Sequence, residues 1–237
     1  MASGNPEYPP YLWQDPEDEG RLIGANADLL QLLSKELDIP IKTRYVGPWA
    51  RVQEETRAGR VDLIAGAFWT VARTDYMDYF YPPFHDTRSV VWVRQGSKLN
   101  YARWHDLAGL QGVTVINNSF GEAFDSYARK SLKISQVASL EQAIKMLQRE
   151  RADYLVYEDR PGQAYLARSG SGSAIKMLDT AVANESLHLT LSYKSACNSG
   201  EMRGRISQAL HKIATPKLMA ELVNRNIELW RTQSLSP

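Results

Sequence analysis

Cysteine is nearly absent: Cys197 is the only one in 237 residues, so no intramolecular disulfide can brace the chain. No Cys or His stands near it at metal-ligand spacing, and His85, His105, His188 and His211 are scattered singly. A clustered zinc motif is therefore missing, and no cofactor is expected. An excess of one charge is missing too. The 28 basic and 27 acidic side chains leave a net charge of +1, with no basic run to track a phosphate backbone, so nucleic acid is excluded as a partner. No apolar run approaches the roughly 20 residues needed to cross a bilayer. No signal peptide precedes Met1, which by itself does not indicate a cytoplasmic origin. What the chain does have is 43% hydrophobic residues, enough to bury a proper core in one large domain or two small ones.

The order of elements implies an α/β fold. After a very short first strand, Tyr8-Pro9-Pro10-Tyr11 rules out a continuing helix, and Tyr8, Tyr11 and Trp13 either pack on a sheet edge or line a pocket. The leucines of Ala27 to Leu37 mark an amphipathic helix that Asn26 or Asp28 can cap, and Ile41 to Val46 reads as a strand after Pro40. A second helix runs from Trp49 to Ala58, and a buried strand follows from Val61 to Gly66. Such alternation predicts mostly parallel sheets flanked by helices. Arg88 to Val93 reads as an extended crossing between two halves. The logic then repeats: a strand at Gly112 to Ile116, a helix from Glu122 to about Lys130, and a capping box at Ser139 opening another helix. A buried strand follows at Asp153 to Tyr157. Gly170 to Ser173 forms a surface loop, Leu187 to Tyr193 the return crossing, and Met202 to Ala214 and Pro216 to Trp230 two closing helices.

Three places carry chemistry. The loop Gly66 to Arg73 leaves a buried strand at its carboxyl end, where open α/β sheets collect ligands. It offers backbone groups, Thr70 and a guanidinium whose planar fork can grip a carboxylate. Read locally, Arg73 is equally consistent with a solvated surface arginine. Asn117 to Gly121 feeds a helix start, a setting that welcomes small anions but also serves as an ordinary turn and cap. Glu158 and Asp159 end a strand and can receive an ammonium, act as acid and base, or cap the next segment.

These stretches resemble a known family, the type II periplasmic solute-binding proteins of the polar amino-acid class, extracellular solute-binding family 3. Tyr8-Pro9-Pro10-Tyr11 resembles its Y-P-P-F segment, and Gly24 to Leu29 resembles G-F-D-V-D-L. Gly59-Arg60-Val61-Asp62 is similar to G-K-I-D, and Gly66 to Arg73 to G-M-T-I-T-P-E-R. Asp78 to Phe84 is similar to V-D-F-S-x-P-Y, and Asp106 to Gly109 to D-L-K-G. The order and spacing cover nearly the whole chain.

The resemblance implies a two-lobed trap joined by two hinge strands and closing by hinge motion. Lobe 1 would hold residues 1–89 plus 189–237, and lobe 2 residues 90–188. It implies that Arg73 holds an α-carboxylate, joined by backbone N–H groups of Ser119, Phe120 and Gly121. Glu158 would take the α-ammonium, and Trp49 and Tyr8 would sandwich the ligand side chain. Thr70 and Gly66 complete the loop. Phe68 stands where the family often has Ser or Thr, Asn5 where basic-amino-acid binders often have an acid, and Glu158 where the shorter Asp is commoner, so the ligand departs from the usual one. The implied protein is a non-enzymatic, monomeric, periplasmic carrier, made with a signal peptide in its precursor. It delivers an amino acid or related zwitterionic or anionic solute to an ABC transporter permease. A cyclohexadienyl dehydratase-like enzyme and the sensing domain of a signalling receptor are the alternatives on the same scaffold.

Overall fold

The computed structural model describes residues 1–168 and 172–233, so Gly170 and Ser171 of the expected surface loop lie outside the described residues. In chain order the strands and helices begin with β1 (Ala2–Ser3), β2 (Glu7–Tyr8), β3 (Leu12–Gln14), β4 (Leu22–Ile23), α1 (Ala25–Leu37) and α2 (Trp49–Arg57). They continue through β5 (Leu63–Ala67), α3 (Val71–Thr74), β6 (Met77–Tyr79), β7 (His85–Arg94), β8 (Gln111–Val115) and α4 (Glu122–Ser131). The last are β9 (Lys133–Val137), α5 (Leu140–Gln148), β10 (Tyr154–Glu158), α6 (Asp159–Arg168), β11 (Ile175–Ser192), α7 (Gly200–Ile213) and α8 (Pro216–Thr232).

The chain divides into two compact units: Met1–Asp86 with Ser186–Pro237, and Thr87–Glu185. It passes from one to the other in β7 and returns in β11.

In the first unit, β1 pairs parallel with β5, and the end of β11 runs antiparallel to β5 and β6. Buried Leu29, Leu30, Leu33 and Leu37 give α1 the apolar face that its leucine spacing predicts. A cluster of Trp49, Val52, Ile64, Ala67, Tyr76 and Met77 packs α2 against the β5–β6 region. In the second unit β9, β8 and β10 are parallel, and β7 lies antiparallel to β10. Its core joins Val91, Val93, Tyr154 and Val156 of the sheet to Phe120 and Phe124 at the start of α4. These are mixed α/β units with parallel strands flanked by helices.

Four local expectations change. Ile41 to Val46 is not a strand: Thr43 and Arg44 make only isolated bridges, to Ala2 and Arg21. The polar run Lys42-Thr43-Arg44 follows the sheet edge through Ala2 without entering it, because partly exposed side chains give it no face to bury. Helix α1 begins at Ala25 with Gly24 as N-cap, earlier than expected. Asn26 and Asp28 do not cap it, since their side chains are committed elsewhere, Asn26 to the Ala65 carbonyl and Asp28 to Asn226 and Arg225. The return strand starts at Ile175, well before Leu187, in a half-exposed stretch without clean alternation. Finally, Asp159 begins α6 directly after β10, with Pro161 in its first turn, where no intrahelical donor is lost.

Candidate functional site

Each unit carries one group of the expected residues. In the first, β5 brings the chain to Phe68, and Thr70 caps the short helix α3 by accepting the Arg73 N–H at 3.2 Å. This turns Arg73 back beneath its own loop, where it is 5% exposed and donates from Nη1 to the Phe68 carbonyl at 2.9 Å. The Tyr79 hydroxyl donates to the same oxygen at 2.8 Å. One carbonyl therefore fixes both groups. Its carbon lies 5.3 Å from the centroid of the Trp49 ring, within range of cation–π attraction. Burial pushes the Tyr79 phenol up, with the Arg73 charge opposing. Arg73 is thus not a surface arginine.

Upstream, Gly66 has φ +111°, a region that side chains disfavour, and a Cβ there would meet Asn26 Nδ2 at 2.7 Å. Asn26 explains the close approach: it donates to the Ala65 carbonyl at 2.7 Å and holds α1 against the end of β5. Phe68 is 4% exposed, so its ring is packed while its carbonyl does the orienting. Tyr8 is buried and tilts against Tyr11 at 5.4 Å, and Tyr11 stacks on His85 at 4.0 Å. Trp13 is also buried, its indole N–H donating to Gln233. Asn5 accepts the Glu7 N–H at 3.0 Å, a local turn that ties it to its own segment. Gly66, Phe68, Thr70, Arg73 and Trp49 thus form one neighbourhood, and the Asn5 side chain is engaged by the Glu7 N–H of its own segment.

In the second unit, Ser119, Phe120 and Gly121 form the turn into α4, with Gly121 as N-cap at φ +90°. Three of the turn's donors have acceptors within it or in α4. The Ser119 hydroxyl donates to Asp125, the Phe120 N–H to Asp125 Oδ1 at 3.0 Å, and the Gly121 N–H to Ser119 Oγ at 3.3 Å. Glu158 closes β10 with 1% exposure, directly opposite Ser89 of β7. Among the described residues no group of three or more His, Cys, Asp or Glu side chains could hold a metal ion.

Sequence reasoning missed Asn26, Tyr79, Asp125 and Ser89. Only Asn26 left a trace, as the polar residue inside the Gly24 to Leu29 segment; the others are placed by pairing across strands or by helix turns.

Among the solved structures similar to this chain are amino-acid-binding proteins and a periplasmic receptor domain. A P235GK mutant of ArgBP from T. maritima superposes with a TM-score of 0.75 at 18% identity, over 98% of this chain and 94% of that one. The AbpA substrate-binding protein of an amino acid ABC transporter from Streptococcus pneumoniae, bound to L-arginine, gives 0.77 at 15% identity, over 97% and 94%. The periplasmic VFT2 domain of Bordetella pertussis BvgS gives 0.75 at 18% identity, over 94% and 91%. At these identities the likeness establishes the fold. No match is found among curated proteins. The sequence of residues 2–228 matches the bacterial extracellular solute-binding proteins, family 3, and the chain belongs to that family. No helix among the described residues is long and apolar enough to cross a membrane.

Proposed function

We propose that this protein is a non-enzymatic carrier that captures a small zwitterionic or anionic solute, an amino acid or a derivative, and delivers it to an ABC transporter permease. The observation that carries this reading is Arg73, a buried guanidinium held by a backbone carbonyl and an aromatic ring at the carboxyl end of a sheet strand. Burying a charge is expensive, and a ligand carboxylate gripped by the planar guanidinium is the natural counter-charge. Trp49 and Tyr8 supply aromatic surface for the solute's apolar part, with Gly66, Phe68 and Thr70 shaping the loop around it.

In this reading the other unit contributes the Ser119–Gly121 turn and Glu158, whose buried carboxylate receives an ammonium. We propose lobe 1 as residues 1–89 plus 189–237 and lobe 2 as residues 90–188, joined by two crossing strands in which hinge bending occurs. Support comes from family membership and from similar structures described as amino-acid binders, one bound to L-arginine and another, an ancestral arginine-binding protein, bound to glutamine. In this reading the protein acts as a monomer, and the family's extracellular description supports a place outside the cytoplasm.

Isothermal titration calorimetry against the standard amino acids, opines and small dicarboxylates tests the proposal. At least one zwitterion should bind, and Arg73→Ala should weaken it about a hundredfold. The reading is overturned if no zwitterion binds, if Arg73→Ala leaves the affinity intact, or if the protein turns over prephenate or arogenate.

A further inference from the structure

His188 lies on the return strand β11, two contacts away from Arg73. It pairs with Ala67 of β5, and the register shifts between His188 and Leu189, an irregularity of the kind that re-aims a side chain. The ring is 4% exposed, and its Nδ1 lies 3.0 Å from the Phe80 carbonyl. A carbonyl can only accept, so Nδ1 carries a proton and Nε2 of the neutral ring is a bare acceptor. His188 makes no second hydrogen bond among the described residues. The Tyr79 ring packs edge-on against it with centroids 5.8 Å apart, and Tyr81 packs at 4.8 Å. Tyr79 carries the contact onward. Its hydroxyl and Arg73 Nη1 donate to the same Phe68 oxygen, at 2.8 and 2.9 Å. Burial keeps that phenol protonated, so the hydroxyl remains a donor around neutral pH. His188, Tyr79, Phe68 and Arg73 thus form a contiguous chain inside the first unit.

The titratable and charged groups packed around this ring are Tyr79 on β6, Tyr81 in the segment that follows, and Asp86 on β7; Ala67, its partner on β5, brings none. Asp86 already accepts from Ser186 Oγ at 2.5 Å. Burial favours the neutral ring, with the Phe80 bond and the Asp86 charge opposing. Protonation adds an Nε2–H for which the described residues supply no acceptor, beside a counter-charge that is partly engaged. A buried cation without partners is costly, so the imidazolium turns toward water to be hydrated. The 67% exposure of Tyr81 marks where water is near. Turning that way removes the edge contact from Tyr79 and loosens the hydroxyl that shares the Phe68 oxygen with Arg73.

We infer that His188 is a positioning residue that couples the solute site to pH: the neutral ring steadies Tyr79, and through the Phe68 carbonyl Arg73, whereas the protonated ring releases them and weakens the grip on a solute carboxylate. The inference rests on the carrier reading and adds a regulation of the same site. The solute is held most tightly near neutral pH and more weakly as the surroundings turn acid.

Calorimetry with L-glutamine, L-leucine, L-lysine and L-glutamate between pH 5.5 and 8 tests it, since these probes keep their charge state over that range. Whichever of them binds should bind about threefold more weakly at pH 5.5 than at pH 8, the effect of weakening one neutral hydrogen bond in the site. His188→Asn and His188→Phe cannot charge, and their affinity should stay level across the range. Tyr79→Phe should stay level too, because the hydroxyl through which His188 acts is gone. By reciprocity, saturating the wild-type protein with the same probe should lower the pH at which His188 titrates in NMR. A wild-type affinity that does not fall at pH 5.5, or a slope that survives in either His188 variant or in Tyr79→Phe, overturns the inference and leaves the carrier reading intact. A His188 titration unmoved by the probe does the same, and this arm decides the matter if the substituted chains fail to fold. Binding of none of the four by a chain folded by circular dichroism overturns the carrier reading and this inference together.

Discussion

The Arg73 loop and the Gly121 turn are built alike and end with opposite electrical character. Each follows a buried strand, each enters a helix, and each needs a glycine at positive φ, Gly66 or Gly121. In the first, the chain spends an acceptor, the Phe68 carbonyl, to position a cation. In the second, the Phe120 and Gly121 N–H groups go to Asp125 and Ser119, and the Glu185 carboxylate lies against Gly121. What a loop offers a ligand is the balance left after its own hydrogen bonds are satisfied.

The comparison can be broken from either side. The largest effect is expected from Arg73→Ala, which removes the donor side: about 3 kcal/mol, or roughly a hundredfold in Kd by calorimetry with the tightest-binding amino acid. Arg73→Lys should recover only part of this, because an ammonium lacks the planar fork. Gly121→Ala comes next. The added methyl collides with Glu185 in a backbone region unfavourable to side chains, so about 2 kcal/mol of stability should be lost in urea titration. Adding Glu185→Ala should restore about 1 kcal/mol of that if the collision is the cause, and a purely additive double mutant would show that backbone strain alone is responsible.

Tyr79→Phe sharpens the contrast on the donor side. It removes one of two bonds to the Phe68 carbonyl, costing about 1 kcal/mol of stability and loosening the loop that orients Arg73. Ligand affinity should fall by a few-fold.

The smallest effect is on pH dependence. His188 faces the Phe80 carbonyl at 3.0 Å, with Tyr79 and Tyr81 packed edge-on against it. Burial lowers its pKa below the ordinary 6.5, with the Phe80 bond and the Asp86 charge opposing. The unfolded chain therefore binds the proton more readily, and stability contributed by neutral His188 is complete above about pH 6.5 and lost as pH falls through the folded value. Urea midpoints between pH 5 and 8 should show this slope, and His188→Asn should flatten it.

Much of the framework was readable from local pattern. The leucine spacing of α1, the Ser139 cap of α5 and the Thr215-Pro216 start of α8 all act locally, because helix periodicity and capping involve residues three or four apart. The pattern failed where neighbours in space set the outcome. Lys42 to Arg44 have strand-like neighbours in sequence but no buried face, and the first half of β11 is a strand because of what it pairs with, not because its residues alternate.

The Arg73 segment shows where the division falls. Sequence alone determined that a strand ends near Gly66, that Thr70 can cap, and that a guanidinium follows at a position where α/β folds gather ligands. It also determined family membership, through motifs in order along nearly the whole chain. Tertiary structure decided that Arg73 is buried and held by a carbonyl, that Asn26 and Tyr79 support it, and that Glu185, 64 positions after Gly121, lies against that glycine. Hydrogen-bond satisfaction and charge balance are sums over neighbours in space, and strands β7, β10 and β11 bring those neighbours together from distant parts of the sequence.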